Sequence, residues 1–221
     1  MNAPRLRRPG RLRADDGFTL VEMIMTVSIM GIVSVALTGI VLSYLRNTVD
    51  TEARLTESHD VQFAAAYWQR DVASIGVRSA TYDTSPGVHS FPLLQSVGLA
   101  PCALPAGASA VVTLGWSEYS SLSSTDPPTL VKVTYAARPS GAVYQLLRVR
   151  CLSQPSTEQL ADNLTAVPTV SCLDASGTAI SCTGAGAGVP AVVRLALTVH
   201  DSSGHNVTPY QATLSGERRQ T

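Results

Sequence analysis

The chain has 221 residues, 45% of them hydrophobic and only 5% aromatic, so one ordinary domain plus an appended segment fits, with a core resting on Val, Leu, Ala and Ile. Sixteen basic and 16 acidic side chains balance overall, but Arg5, Arg7, Arg8, Arg11 and Arg13 face only Asp15 and Asp16 before residue 17. Beyond that point 11 basic residues stand against 14 acidic ones, which excludes a basic field suited to non-specific duplex DNA.

The first element in chain order is apolar. Residues 23–45 hold 23 positions without a charge, and a helix over residues 18–45 would be about 42 Å long, more than the ~30 Å hydrocarbon thickness of a bilayer. The arginines precede it, so the positive-inside bias keeps residues 1–17 cytoplasmic and sends the rest outward. A secretory signal peptide cut after Ser34-Val35-Ala36 is too short a reading, because the apolar run continues through Leu45. A plain membrane anchor leaves Glu22 unexplained, since an acid within an apolar helix is costly and usually functional.

The residues around that acid are more specific. Gly17-Phe18-Thr19-Leu20-Val21-Glu22, followed by Met23-Ile24-Met25, resembles the class III processing site of type IV prepilins and type II secretion pseudopilins. The resemblance implies cleavage between Gly17 and Phe18 by a membrane-embedded prepilin peptidase, with N-methylation of Phe18. A glycine before the cut has no side chain to obstruct a protease cleft. Gly31 falls where these helices commonly carry a glycine, and Gly39 stands where many major pilins have a proline that loosens the helix. For Glu22 two readings stand together. Thr19-x-x-Glu22 is a capping box, and the resemblance implies that the carboxylate attracts the Phe18 ammonium of a neighbouring subunit and sets the stagger between subunits.

Further along, Val61, Ala64, Ala65, Trp68, Val72 and Ile75 recur at helical spacing and predict that the helix continues, with Gly76 as its stop. Trp68 reads as a core anchor. After a Ser/Pro/Gly-rich loop, strands are expected at 111–116, 130–136, 142–150, 165–172 and 191–200. Turn formers separate them: Arg138-Pro139-Ser140-Gly141, Asp174-Ala175-Ser176-Gly177 and Asp201-Ser202-Ser203-Gly204. The expected fold class is α+β and pilin-like: a long N-terminal helix, membrane-spanning in its first half, packed by its second half on an antiparallel sheet. The segments are a leader at 1–17, a transmembrane and assembly helix at 18–45, an amphipathic continuation at 46–79, and an exported sheet domain at 80–221.

A second resemblance lies in this latter part. Gln69-Arg70-Asp71-Val72, Leu146-x-Arg148, Leu160-Ala161-Asp162-Asn163 before a strand, and Pro190-Ala191-Val192-Val193-Arg194-Leu195 are similar to the J-type minor pseudopilins and W-type minor pilins. That likeness implies a minor subunit at a filament tip, in a complex that primes assembly. The implied partners are the prepilin peptidase, other pilin subunits meeting through the N-terminal helix, an inner-membrane assembly platform and membrane lipid. The implied location is the cytoplasmic membrane, single-pass with the N-terminus inside, then the filament.

Cys102, Cys151, Cys172 and Cys182 permit three disulfide connectivities. Pairing Cys172 with Cys182 and Cys102 with Cys151 asks the least of the fold. His59, His89, His200 and His205 are scattered, and no metal-ligand spacing, nucleophile elbow or phosphate loop occurs; Gly184-Ala185-Gly186-Ala187-Gly188 reads as a flexible loop. Asp174 and Asp201 lack the run of acidic partners that a calcium site needs. No cofactor, metal or catalytic residue is therefore expected. A structural subunit is the leading function. The alternative is a tip adhesin or DNA-capturing minor pilin, with Arg138, Arg148, Arg150 and Arg194 as a basic strip, and an anchored enzyme has no residues to carry it.

Overall fold

The structure is a computed structural model that describes residues 17–85, 90–119, 127–151, 154–203 and 208–219. The leader positions 1–16, His89, Gly204 and His205 lie outside the described residues. The chain divides into two compact units, Met1–Asn47 and Thr48–Thr221.

Helix α1 spans Leu20–Ser74, two residues later at its start and one earlier at its end than the periodicity implies. Thr19 caps it: its hydroxyl accepts the Glu22 N–H at 3.3 Å and its carbonyl accepts the Met23 N–H at 3.1 Å. Thr26, Ser28 and Thr38 turn their hydroxyls onto the carbonyls four residues back, at 2.7, 2.8 and 2.8 Å. These three hydroxyls are thereby satisfied within the helix itself, as a lipid environment demands. Gly76, at φ 152°, ends the helix in a conformation that side chains other than glycine's resist.

Eight strands follow: β1 Ser109–Glu118, β2 Thr129–Ser140, β3 Val143–Arg150, β4 Ser156–Leu164, β5 Thr169–Leu173, β6 Ala179–Ile180, β7 Val192–Val199 and β8 Tyr210–Glu217. They form one antiparallel sheet in the order β1-β2-β3-β4-β7-β5-β6, with β8 on the other side of β7. The architecture is α+β and pilin-like, a long N-terminal apolar helix with an antiparallel sheet.

Within the second unit α1 packs through Ala53, Val61, Ala64, Trp68 and Val72. Trp68 is fully buried, stands edge-on to Tyr135 at 4.9 Å and donates its indole N–H to the Val193 carbonyl at 3.2 Å. Val72 reaches β8 where Gly216 leaves room; a Cβ there would come within 2.5 Å of it.

Strands β4, β6 and β8 were not expected from sequence. β4 reads Ser-Thr-Glu-Gln-Leu-Ala-Asp-Asn-Leu and buries only Leu160, Ala161 and Leu164, so its apolar alternation is too weak to see. It also contains Leu160-Ala161-Asp162-Asn163, which lies near the end of this strand and before β5. β8 hides behind small residues, Ala212, Ser215 and Gly216. Of the expected limits, two shift most: β2 runs through Pro139 to Ser140, turning at Gly141 (φ 65°), and β5 starts at Thr169 after a 165–168 loop. The 184–188 segment includes a 3-10 turn at Gly186–Gly188 whose Gly186 N–H is bound by the Leu93 carbonyl at 2.9 Å, so it is held rather than free.

Disulfides join Cys102 to Cys151 and Cys172 to Cys182, closing separations of 49 and 10 residues. On the chain-entropy model they stabilise by about 4 and about 2.7 kcal/mol.

Candidate functional site

The N-terminal segment is built for surfaces other than water. Every described residue from 17 to 48 is exposed in the isolated chain, Phe18 at 84%. An apolar stretch of this extent is far larger than the patches soluble monomers present. α1 is the one helix, among the described residues, long and apolar enough to cross a membrane.

Gly17 and Phe18 precede the helix, and Glu22 lies in its first turn. The cap uses the Glu22 backbone N–H, and the Glu22 carboxylate has no hydrogen bond or ion pair among the described residues. Gly31 and Gly39 lie within unbroken helix, and a Cβ at either would meet nothing within 4 Å.

The second unit carries a polar clamp that sequence reasoning did not identify. Asp71 on α1 and Arg148 on β3 are 2% and 4% exposed. Arg148 grips Asp71 with both prongs, Nε to Oδ2 at 2.7 Å and Nη2 to Oδ1 at 2.9 Å, while Nη1 reaches Glu158 at 3.1 Å. The Tyr135 hydroxyl donates to the same Asp71 Oδ2 at 2.8 Å, and the Tyr67 ring lies 5.1 Å from the guanidinium. Burial disfavours the Arg148 charge, but hydrogen bonds and attraction from Asp71, with Tyr135 and Glu158 adding, hold its pKa raised. Burial first, then Asp71, pushes the Tyr135 phenol well above its ordinary value.

The clamp corrects the basic strip. Arg148 is inside the domain, Arg138 bonds Gln145 at 2.6 Å, and Arg150 lies 3.7 Å from Glu118; of the four, only Arg194 is exposed. One signal was available: Asp71 shares the helical phase of Trp68, and Arg148 shares the strand phase of Leu146, so each charge sits on the inward face of its element.

A second tie holds the end of the β7–β8 connection. Buried Glu57 accepts the Asp201 N–H at 2.9 Å, and Arg54 donates to the Thr208 carbonyl at 2.8 Å. Asp174 and Asp201 spend their carboxylates on turns: Asp174 binds the Ser176 hydroxyl at 2.7 Å and the Ser176 and Thr178 N–H groups at 2.8 Å, and Asp201 binds the Ser203 N–H at 2.9 Å. These bonds lower both pKa values.

Asp60 behaves oppositely. Its Oδ2 accepts the Asp162 N–H at 2.9 Å, yet burial, with repulsion from Asp162, raises its pKa. A raised acid adds stability fully below its ordinary 3.8 and loses it as pH rises through the folded value. Asp60→Asn, which keeps an acceptor oxygen, is expected to raise stability at pH 7, because it removes the charge that burial disfavours. In urea titrations the gain should vanish as pH falls below about 4.

Fold and segment together give a pilin-like α+β architecture, a long apolar N-terminal helix with an antiparallel sheet. Residues 12–38 match the model of the prokaryotic N-terminal methylation motif. The match supports a class III prepilin-type signal and a type IV pilin-like or pseudopilin-like structural subunit, and implies processing by a prepilin peptidase and assembly with other pilin subunits. No curated protein matches the chain.

Proposed function

We propose that the chain is a minor subunit of a type IV pilus or type II secretion-like pseudopilus, processed between Gly17 and Phe18 and N-methylated on Phe18. Segment 18–45 holds it in the cytoplasmic membrane, N-terminus inside, until an assembly platform draws it into the filament. The supporting observation is the juxtaposition of the methylation motif with the exposed apolar segment 18–45, whose only acid, Glu22, is left without a partner among the described residues. In a bundle of such helices the new Phe18 ammonium of a neighbour supplies the missing charge, and Gly31 and Gly39 give the helix room to approach others or loosen. The tip position rests on the resemblance to J-type and W-type subunits, now joined to a structural fact: two of the quoted segments contribute Asp71 and Arg148, the two halves of one buried clamp.

Intact-mass measurement of membrane-extracted protein tests this directly. Loss of residues 1–17 with one added methyl group is expected. A polypeptide that keeps its first residue, or that begins after Ala36, removes the reading.

A further inference from the structure

The sheet treats its two long edges unequally. The outer edge of β1 is closed by the chain's own segment: Gly115 donates to the Ser96 carbonyl at 2.8 Å, Gly98 to Thr113 at 2.9 Å and Ser117 to Gly76 at 3.1 Å. Among the described residues β8 has no such cover. Its Arg218 N–H donates to the Ala191 carbonyl at 2.8 Å, extending the ladder with β7, and hydrogen bonding alternates along antiparallel strands. The peptide groups of Gln211, Thr213, Ser215 and Glu217 therefore point away from β7. The next in that series, Arg219, donates to the Ala73 carbonyl of α1 at 3.2 Å. None of the four before it has a backbone partner among the described residues.

An edge of this length normally carries a lysine, a proline or a bulge that blocks strand addition. Tyr210–Glu217 contains no lysine or proline and pairs with β7 without a register shift. Both ends are fixed to α1, by Arg219 to Ala73 and by Arg54 to Thr208, so the edge is held in place while open between. Beside it lies a concavity of about 330 Å³, walled by Gln69 and Ala73 on one side and by Ser215, Glu217 and Arg219 on the other. The flank is cationic: Arg218 and Arg219 follow Glu217, and exposed Arg194 stands in register with Ser215. Arg218 is half-buried and its Nε donates to the Pro190 carbonyl at 3.2 Å, so the exposed charges of this flank are Arg194 and Arg219 beside Glu217.

We propose that the outer edge of β8 receives an extended, acidic segment of a partner protein as an added strand, its carboxylates directed to Arg194 and Arg219. Main-chain bonds from alternate residues supply the affinity, and the arginines select the partner by charge. The surface is independent of Gly17, Phe18 and Glu22, so it stands or falls apart from the processing reading.

The test uses the full chain in detergent micelles with two fluorescein-labelled probes, an eight-residue peptide alternating threonine and glutamate and its lysine counterpart. The glutamate peptide is expected to bind saturably and to slow hydrogen exchange at Gln211, Thr213 and Ser215, with the lysine peptide weaker by at least about tenfold. Thr213→Pro deletes one outward N–H and leaves the ladder to β7 intact, so it should cut binding by about tenfold or more while the melting temperature holds. Arg194→Glu with Arg219→Glu should do the same through charge, which keeps the test valid if the proline variant misfolds. Equal binding of both peptides, no binding of either, protection at other strands, or undiminished binding by the charge-reversed variant would each overturn the proposal. So would slow exchange of those amides without peptide, which would mean that the edge is already covered or pairs with a second copy.

Discussion

Arg148→Met is expected to lower the unfolding free energy of the sheet domain by about 3–5 kcal/mol, read from urea titration of tryptophan fluorescence. Trp68 makes a good reporter because it is fully buried against Tyr135, which shares Asp71 with Arg148. The loss does not measure a strong attraction. Removing the guanidinium leaves a carboxylate at 2% exposure with one phenol donor in place of a two-pronged cation, and that stranded charge carries most of the cost. Asp71→Leu should cost a similar amount by stranding Arg148 with the half-exposed Glu158. The double variant Asp71→Leu, Arg148→Met should be distinctly more stable than the sum of the two losses implies, because no buried charge remains. Additive losses, or a single-variant loss below about 1 kcal/mol, would show that the clamp is not a coupled unit.

The clamp also marks where sequence reasoning succeeds and stops. The stripe from Val61 to Ile75 and the strands around Val133, Leu147 and Leu195 were legible because apolar periodicity registers directly which face is buried. Asp71, Glu57 and Arg148 were not, because phase places a charge on an inward face without naming its partner, which for Asp71 and Arg148 is 77 residues away. β4 and β8 escaped for a related reason. β4 buries little, and β8 meets α1 through Gly216, a residue whose contribution is the absence of a side chain. The assembly segment behaves differently. Its meaning resides in a local string, Gly17-Phe18-Thr19-Leu20-Val21-Glu22, so the sequence carried nearly all of it, and the fold contributes the exposure of the helix and the cap at Thr19.

That cap makes Glu22 the most informative residue to change. Glu22→Val is expected to be cleaved and inserted normally and yet to be nearly absent from sheared filaments, as quantified by immunoblot of filament and membrane fractions. The expectation follows from charge in an apolar bundle: a Phe18 ammonium with no carboxylate opposite costs about 3–5 kcal/mol, enough to shift incorporation by more than about 100-fold. Helix capping predicts a much smaller effect, because Thr19 accepts the Glu22 backbone N–H at 3.3 Å and that bond survives any side chain at position 22. Glu22→Gln separates the two roles. Glutamine can complete a capping box as well as glutamate, but it cannot neutralise an amine, so it should fail in assembly as valine does. If the glutamine variant enters filaments at the wild-type level, the carboxylate is serving the helix alone and the stagger between subunits must be set by contacts along the rest of segment 18–45.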